Sequence, residues 1–141
     1  MKTCADVVAQ ARTHLGTRWM HQARLPGVAL DCAGLVIVVA RELGLVAADF
    51  DVNGYDRAPD GTMMDWCDEY MTRLAVTELG AVLVLQKSNE PQHLGIVGDY
   101  RHGGDSIIHA CSQAGAVIET RLMFARNMIL RGVYRMPGVL A

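Results

Sequence analysis

The sequence predicts an α+β fold, with N-terminal helices packed on an antiparallel β-sheet, and three observations predict it. Helical spacing of apolar residues is confined to the first half of the chain, one helix there is apolar on nearly every face, and from Gly80 onward only short β-rich runs occur. Helices first and strands afterwards argues for segregated elements rather than an alternating α/β sheet. At 141 residues, 51% hydrophobic and 20% charged, the chain is sized for a single domain, 1–141, with a substantial core.

The first helix is read from "TCADVVAQARTHLG". Thr3 is its cap, Asp6 the capping-box partner, Val8, Ala11 and Leu15 follow at helical spacing, and Gly16 stops it. "TRWMHQARLPGVAL" has no sustained period and contains Pro26 and Gly27, so an ordered loop is expected. "CAGLVIVVAREL", from Cys32 to Leu43, stays apolar until Arg41 and Glu42 and is closed by Gly44. A helix apolar nearly all round belongs at the centre of the fold. "DFDVNGYDRAPDG" reads as a turn-rich connection, and "TMMDWCDEYMTRL" as a third, amphipathic helix with Trp66, Tyr70 and Leu74 on one face. The strands are "AVLVLQ", "HLGIVGDY", "SIIHACS", "AVIET" and "ILRGVYRM". The turn clusters "KSNEPQ", "RHGGD" and "QAGA" between them are short enough for antiparallel connections. No internal repeat or low-complexity segment interrupts the pattern.

A formal net charge of -2 and a pI near 6.2 leave no excess of base to neutralise phosphates, so nucleic acid is not an expected partner. The first residues lack the apolar stretch of a signal peptide, and no run approaches the roughly 18 apolar residues of a membrane span. Synthesis in the cytoplasm, away from membranes, is the expectation. Cys4, Cys32, Cys67 and Cys111 are widely separated and form no CxxC pair, which speaks for free thiols and against a structural zinc. Free cysteine is usually core filler, and Cys67 and Cys111 are read that way, as are Met63, Met64 and Met71.

Cys32 is the exception. It falls on the first turn of the central helix, after Asp31 as N-cap, where unpaired amides and the positive end of the dipole favour the nucleophilic thiolate. The same amides are placed to hold the oxyanion of an attacked carbonyl, with Ala33 and Gly34 keeping the approach open. Cys4 also follows a cap, but at the chain terminus. A thiol nucleophile needs a base, usually histidine, and often a group that orients the base. His93 opens one strand and His109 lies in the next, so antiparallel pairing brings them near each other on one face. His109 is flanked by apolar residues and needs a partner there. His14, near a helix end, and His102, in a turn, are weaker candidates.

"DCAGLV" at 31–36, "HLGIVGDY" at 93–100 and "IIHACSQAGAVIET" at 107–120 together resemble the signature blocks of the NlpC-like cell-wall peptidases, and they occur in the family's order. "LGTRWMHQARLPGVALDC", "GAVLVLQ" and "RGVYRMPG" extend the resemblance over nearly the whole chain, which is most similar to the short members found with phage tail genes. The resemblance implies a papain-like fold with the cysteine on the central helix, and a cysteine endopeptidase that cuts stem peptides of bacterial peptidoglycan through a thioester, without cofactor or metal. It makes Cys32 the nucleophile, His93 the general base and His109 the residue that orients it. It also implies incorporation into a virion tail with other tail proteins as partners. One departure stands in the loop: where many members carry a pattern like "PYxWGG", this chain has Trp19 at the tyrosine position and His21 at the tryptophan's. Trp19, His21 and Ala33 are therefore the residues expected near the oxyanion or substrate. An indole N–H donates one hydrogen bond and accepts none. Two other readings are a structural tail or tail-assembly protein that keeps the fold with little activity, and a metal-binding module built from Cys32, His93 and His109.

Overall fold

A computed structural model of the chain describes residues 1–52, 62–87, 93–124 and 128–140. Its helices are α1 (Cys4–Arg12), α2 (Cys32–Glu42) and α3 (Thr62–Tyr70). Its strands are β1 (Lys2–Thr3), β2 (Arg18–Trp19), β3 (Arg24–Leu25), β4 (Ala29–Leu30), β5 (Thr72–Arg73), β6 (Val82–Lys87), β7 (His93–Asp99), β8 (Asp105–Cys111), β9 (Ala116–Arg121), β10 (Met128–Arg135) and β11 (Val139–Leu140). The α+β fold with an antiparallel central sheet is as expected. Most of the "DFDVNGYDRAPDG" connection and nearly all of "KSNEPQ" lie outside the described residues.

Each helix begins as its residues dictate. Thr3 and Asp6 form the reciprocal capping box of α1, with Thr3 N–H donating to Asp6 Oδ2 at 2.8 Å, and the chain turns away at Gly16 with φ +89°. In α2 every residue from Ala33 to Ala40 is buried, and the helix packs against α1 and against β3, β4, β7 and β8. The third helix is shorter than its sequence pattern. It ends at Tyr70, and Leu74 is not on its face. Thr72 and Arg73 are extended instead, pairing with Arg135 and Tyr134 of β10, and Leu74 N–H donates to Val133 O at 2.8 Å. A sheet edge that supplies backbone partners to a β-branched residue outweighs weak helical periodicity. The buried face of α3 is Met63 and Cys67, with Met64, Trp66 and Met71 packed at its margin.

The sheet runs β3-β4-β2-β9-β8-β7-β6-β10-β5 among the described residues, with β1 and β11 paired in parallel apart from it. Strands β6 to β10 are joined antiparallel, with Ile96 opposite Ile108 and Leu85 opposite His93. The "RHGGD" turn between β7 and β8 uses Gly103 and Gly104 at positive φ, as a tight reversal requires. Both faces of β7 and β8 are buried: Leu94, Ile96, Ile108 and Ala110 join the main core with α1 and α2, while Val97 and Ile107 join a smaller one with Leu83, Leu85 and Val133. That is why these strands read as apolar runs rather than as strict alternation.

The expected loop before α2 contains three short strands instead. β3 and β4 form a hairpin about Pro26 and Gly27, while β2 pairs with β4 in parallel and with β9 antiparallel. Two-residue strands carry too little pattern to be read from sequence; their pairing depends on β9, nearly a hundred positions away. No described helix is long and apolar enough to cross a membrane.

Candidate active site

Cys32 opens α2, and Asp31 caps it. The Asp31 backbone is extended, and its Oδ1 accepts from Gly34 N–H at 2.7 Å. Cys32 is half-buried at the positive end of a helix whose axis runs back into the core. The other thiols sit in different chemistry. Burial pushes Cys67 up to about 12, with Asp68 and then Cys32 adding to the rise. Cys4 is also raised, by burial and then by Glu78, whose Oε2 accepts from its Sγ at 3.2 Å. A thiol that donates to a carboxylate is held toward its protonated form, and Arg135, paired with Glu78, offsets this only in part, so Cys4 is the weaker candidate nucleophile. Cys111 is buried, as expected of a core residue.

The two strand histidines meet. His93 Nε2 and His109 Nδ1 are 2.7 Å apart, with ring centroids 4.9 Å apart and planes at 82°. His93 is 1% and His109 6% exposed, so the bond between them satisfies polar groups that water does not reach. One ring nitrogen donates and the other accepts. Carrying the β7–β8 register one step on from Ile96 and Ile108 puts Gly95 opposite His109. A Cβ at Gly95 would lie 2.4 Å from Ile107 Cδ1 and 3.5 Å from His109 Cβ, so the glycine in "HLG" makes room for its cross-strand neighbours. The helix headed by Cys32 packs on both histidine-bearing strands.

The loop residues divide. Trp19 lies in β2 with its side chain packed on the main core and its backbone N–H donating to Gly115 O at 2.8 Å. His21 is exposed in the turn that follows. Ala33 turns its methyl into the core, where it lines an apolar cleft with Trp66, Cys67 and Leu94, so only its backbone N–H is suited to an oxyanion. Gly34 differs from expectation. Its amide is taken by Asp31, and the space left by its missing side chain is filled by the loop: a Cβ there would lie 2.2 Å from Ala23 O and 3.3 Å from Arg24 Nη1.

Sequence reasoning missed what holds that loop. Asp31 Oδ2 accepts from Gln22 N–H at 2.7 Å, and Asp31 Oδ1 accepts from Arg24 Nη1 at 2.9 Å as well as from Gly34. Arg24 Nε donates to Asp51 Oδ1 at 2.9 Å, and Arg41 Nε to Phe50 O at 2.6 Å. Asp31 is thus the cap of α2 and the anchor of residues 22–24. Nothing in the local pattern marks Arg24; the one available signal was an acidic cap directly before a cysteine that is expected to ionise. Among the described residues no three His, Cys, Asp or Glu side chains are grouped as metal ligands would be, which leaves the metal-module reading without a ligand set.

No protein-family model matches the chain, and no curated protein does. Solved structures do. The NlpC/p60 domain of the peptidoglycan hydrolase SagA aligns with a TM-score of 0.61 at 20% identity, over 95% of this chain and 99% of that one. An N-acetylmuramoyl-L-alanine amidase from Bacteroides uniformis aligns with a TM-score of 0.68 at 11% identity, over 95% and 98%. NlpC1 from Trichomonas vaginalis aligns with a TM-score of 0.66 at 15% identity over 92% of this chain, which spans only 42% of that protein's length. At these identities the likeness is one of fold: the chain has the papain-like NlpC/p60 architecture.

Proposed function

We propose that the protein is a cysteine endopeptidase that hydrolyses stem-peptide bonds of bacterial peptidoglycan, delivered with a phage tail. The observation that carries the reading is the buried His93–His109 pair on the two strands against which the Cys32 helix packs. Two fold neighbours, a peptidoglycan hydrolase and an N-acetylmuramoyl-L-alanine amidase, support the substrate class. The tail setting rests on the sequence resemblance.

In this reading His109 engages His93 Nε2 and sets the ring so that Nδ1 serves the thiol. The Cys32 thiolate attacks the amide carbonyl carbon, a C–S bond forms, and the oxyanion is held by backbone N–H at the head of α2, that of Ala33 included. The His93 imidazolium gives its proton to the leaving nitrogen as the C–N bond breaks, which leaves a thioester. Water, giving a proton to His93, attacks the thioester carbonyl; the C–S bond breaks, the acid is released and the thiolate–imidazolium pair is restored.

Digestion of purified Gram-negative peptidoglycan, read by mass spectrometry, tests this. Fragments cut within the stem peptide by wild type and not by Cys32→Ala are expected. No release from folded wild type overturns the peptidase reading and favours a structural role in the tail.

A further inference from the structure

We propose that Arg24 is a positioning residue for the nucleophile: its guanidinium neutralises the Asp31 carboxylate at the head of α2, which allows the adjacent Cys32 to ionise. This rests on the reading of Cys32 as the nucleophile.

Asp31 is 3% exposed and directly precedes the thiol. An uncompensated carboxylate there opposes a thiolate, and as a cap alone it has no need of its charge, since Asn or Ser caps a helix equally well. The charge is met instead by Arg24, which reaches from β3 with its side chain 11% exposed and donates to Asp31 Oδ1 at 2.9 Å. Little solvent enters the pair, so its compensation is felt almost unscreened at the helix head.

Three further features serve the same contact. Gln22 holds φ +60°, a left-handed conformation that costs a non-glycine residue about 1 kcal/mol, and its N–H thereby lies on Asp31 Oδ2. Gly34 has no side chain, which admits Ala23 O and Arg24 Nη1 against the helix. Asp51 fixes the far side of the guanidinium through Nε at 2.9 Å. Among the described residues the titratable groups around this end of α2 are Asp31 in the cap, Arg24 on β3 with Asp51 and its second partner Arg41 behind it, exposed His21 in the turn, Cys67 on α3, and His93 and His109 on β7 and β8.

The test is the pH profile of iodoacetamide alkylation on the full chain, read by mass spectrometry on the peptide holding Cys32, with melting temperatures as the control for folding. Arg24→Gln is expected to move the midpoint up by about one pH unit, roughly tenfold slower labelling at pH 6. Asp31→Asn, which still caps the helix, is expected to move it down, and the double variant to return near wild type. A clamp that is only structural slows labelling in both single variants without opposite shifts, and that outcome overturns the proposal. Should Arg24→Gln fail to fold, Asp31→Asn alone decides: a midpoint at or above wild type overturns it. A wild-type midpoint near the ordinary ~8.5 refutes the nucleophile reading itself.

Discussion

Gly34→Ala should destabilise the protein although alanine is the better helix former. Replacing glycine inside a helix gains at most about 1 kcal/mol. Here the new Cβ would lie 2.2 Å from Ala23 O, and contacts under 3.0 Å do not occur, so the loop must retreat by about 0.8 Å. It cannot do so freely. Gln22 N–H and Arg24 Nη1 hold the loop on Asp31 at 2.7 and 2.9 Å, and a shift of that size stretches both to about 3.5 Å or beyond, outside useful hydrogen-bond range. Hydrogen bonds to a charged group contribute about 1.5–3 kcal/mol each. Partial loss of two, set against the propensity gain, leaves a net cost of about 2 kcal/mol, which for a domain of this size lowers the melting temperature by about 6–8 °C. Thermal unfolding followed by circular dichroism reads it directly. A melting temperature equal to or above wild type would show that the loop yields without cost, and would refute the rigid anchoring of residues 22–24 on α2.

Other perturbations test other parts of the molecule. His93→Ala is expected to lower fragment release from peptidoglycan by about 10²-fold or more, and His109→Asn by less, because the second acts through the first; wild-type rates in His93→Ala refute the assignment. Cys4, held protonated by burial and Glu78, should stay essentially unlabelled by iodoacetamide at pH 7, and Cys4→Ser should digest peptidoglycan at the wild-type rate. The Arg12 guanidinium holds Glu119 below the usual carboxylate range, and Asp99 is held down by its own backbone N–H and then by Arg12. A lowered folded-state value stabilises above the unfolded value, about 4, and is lost as pH falls through the folded one. Arg12→Met should therefore lower the melting temperature at pH 7, with the gap from wild type closing toward pH 2; a gap that persists at pH 2 refutes the carboxylate linkage.

What could be read from the residues, and what could not, follows from how far each position's determinants lie along the chain. β7 and β8 are legible because "HLGIVGDY" and "SIIHACS" carry their own β pattern and a five-residue turn, and once the turn is short the register brings His93 and His109 within reach of each other. The head of α2 is legible for the same reason: cap, thiol and apolar run are adjacent. The end of α3 is not, since Thr72 and Arg73 are drawn into strand by β10, some sixty residues on. Nor is the loop from Trp19 to Leu30, which takes its shape from β9 on one side and from the Asp31 carboxylate on the other. The candidate site is assembled from both kinds of segment. Its thiol and histidines are set by local pattern, while the loop leading into the thiol is set by long-range pairing and a buried ion pair. Trp19 and His21 fall entirely in the second kind, whereas Asp31, Arg24 and Gly34 meet at the head of α2 itself. The separation has a kinetic consequence: exchanging exposed His21 should change KM and bond preference in the peptidoglycan assay and leave the alkylation profile of Cys32 where it is. A shift in that profile would mean that loop and nucleophile are not separable.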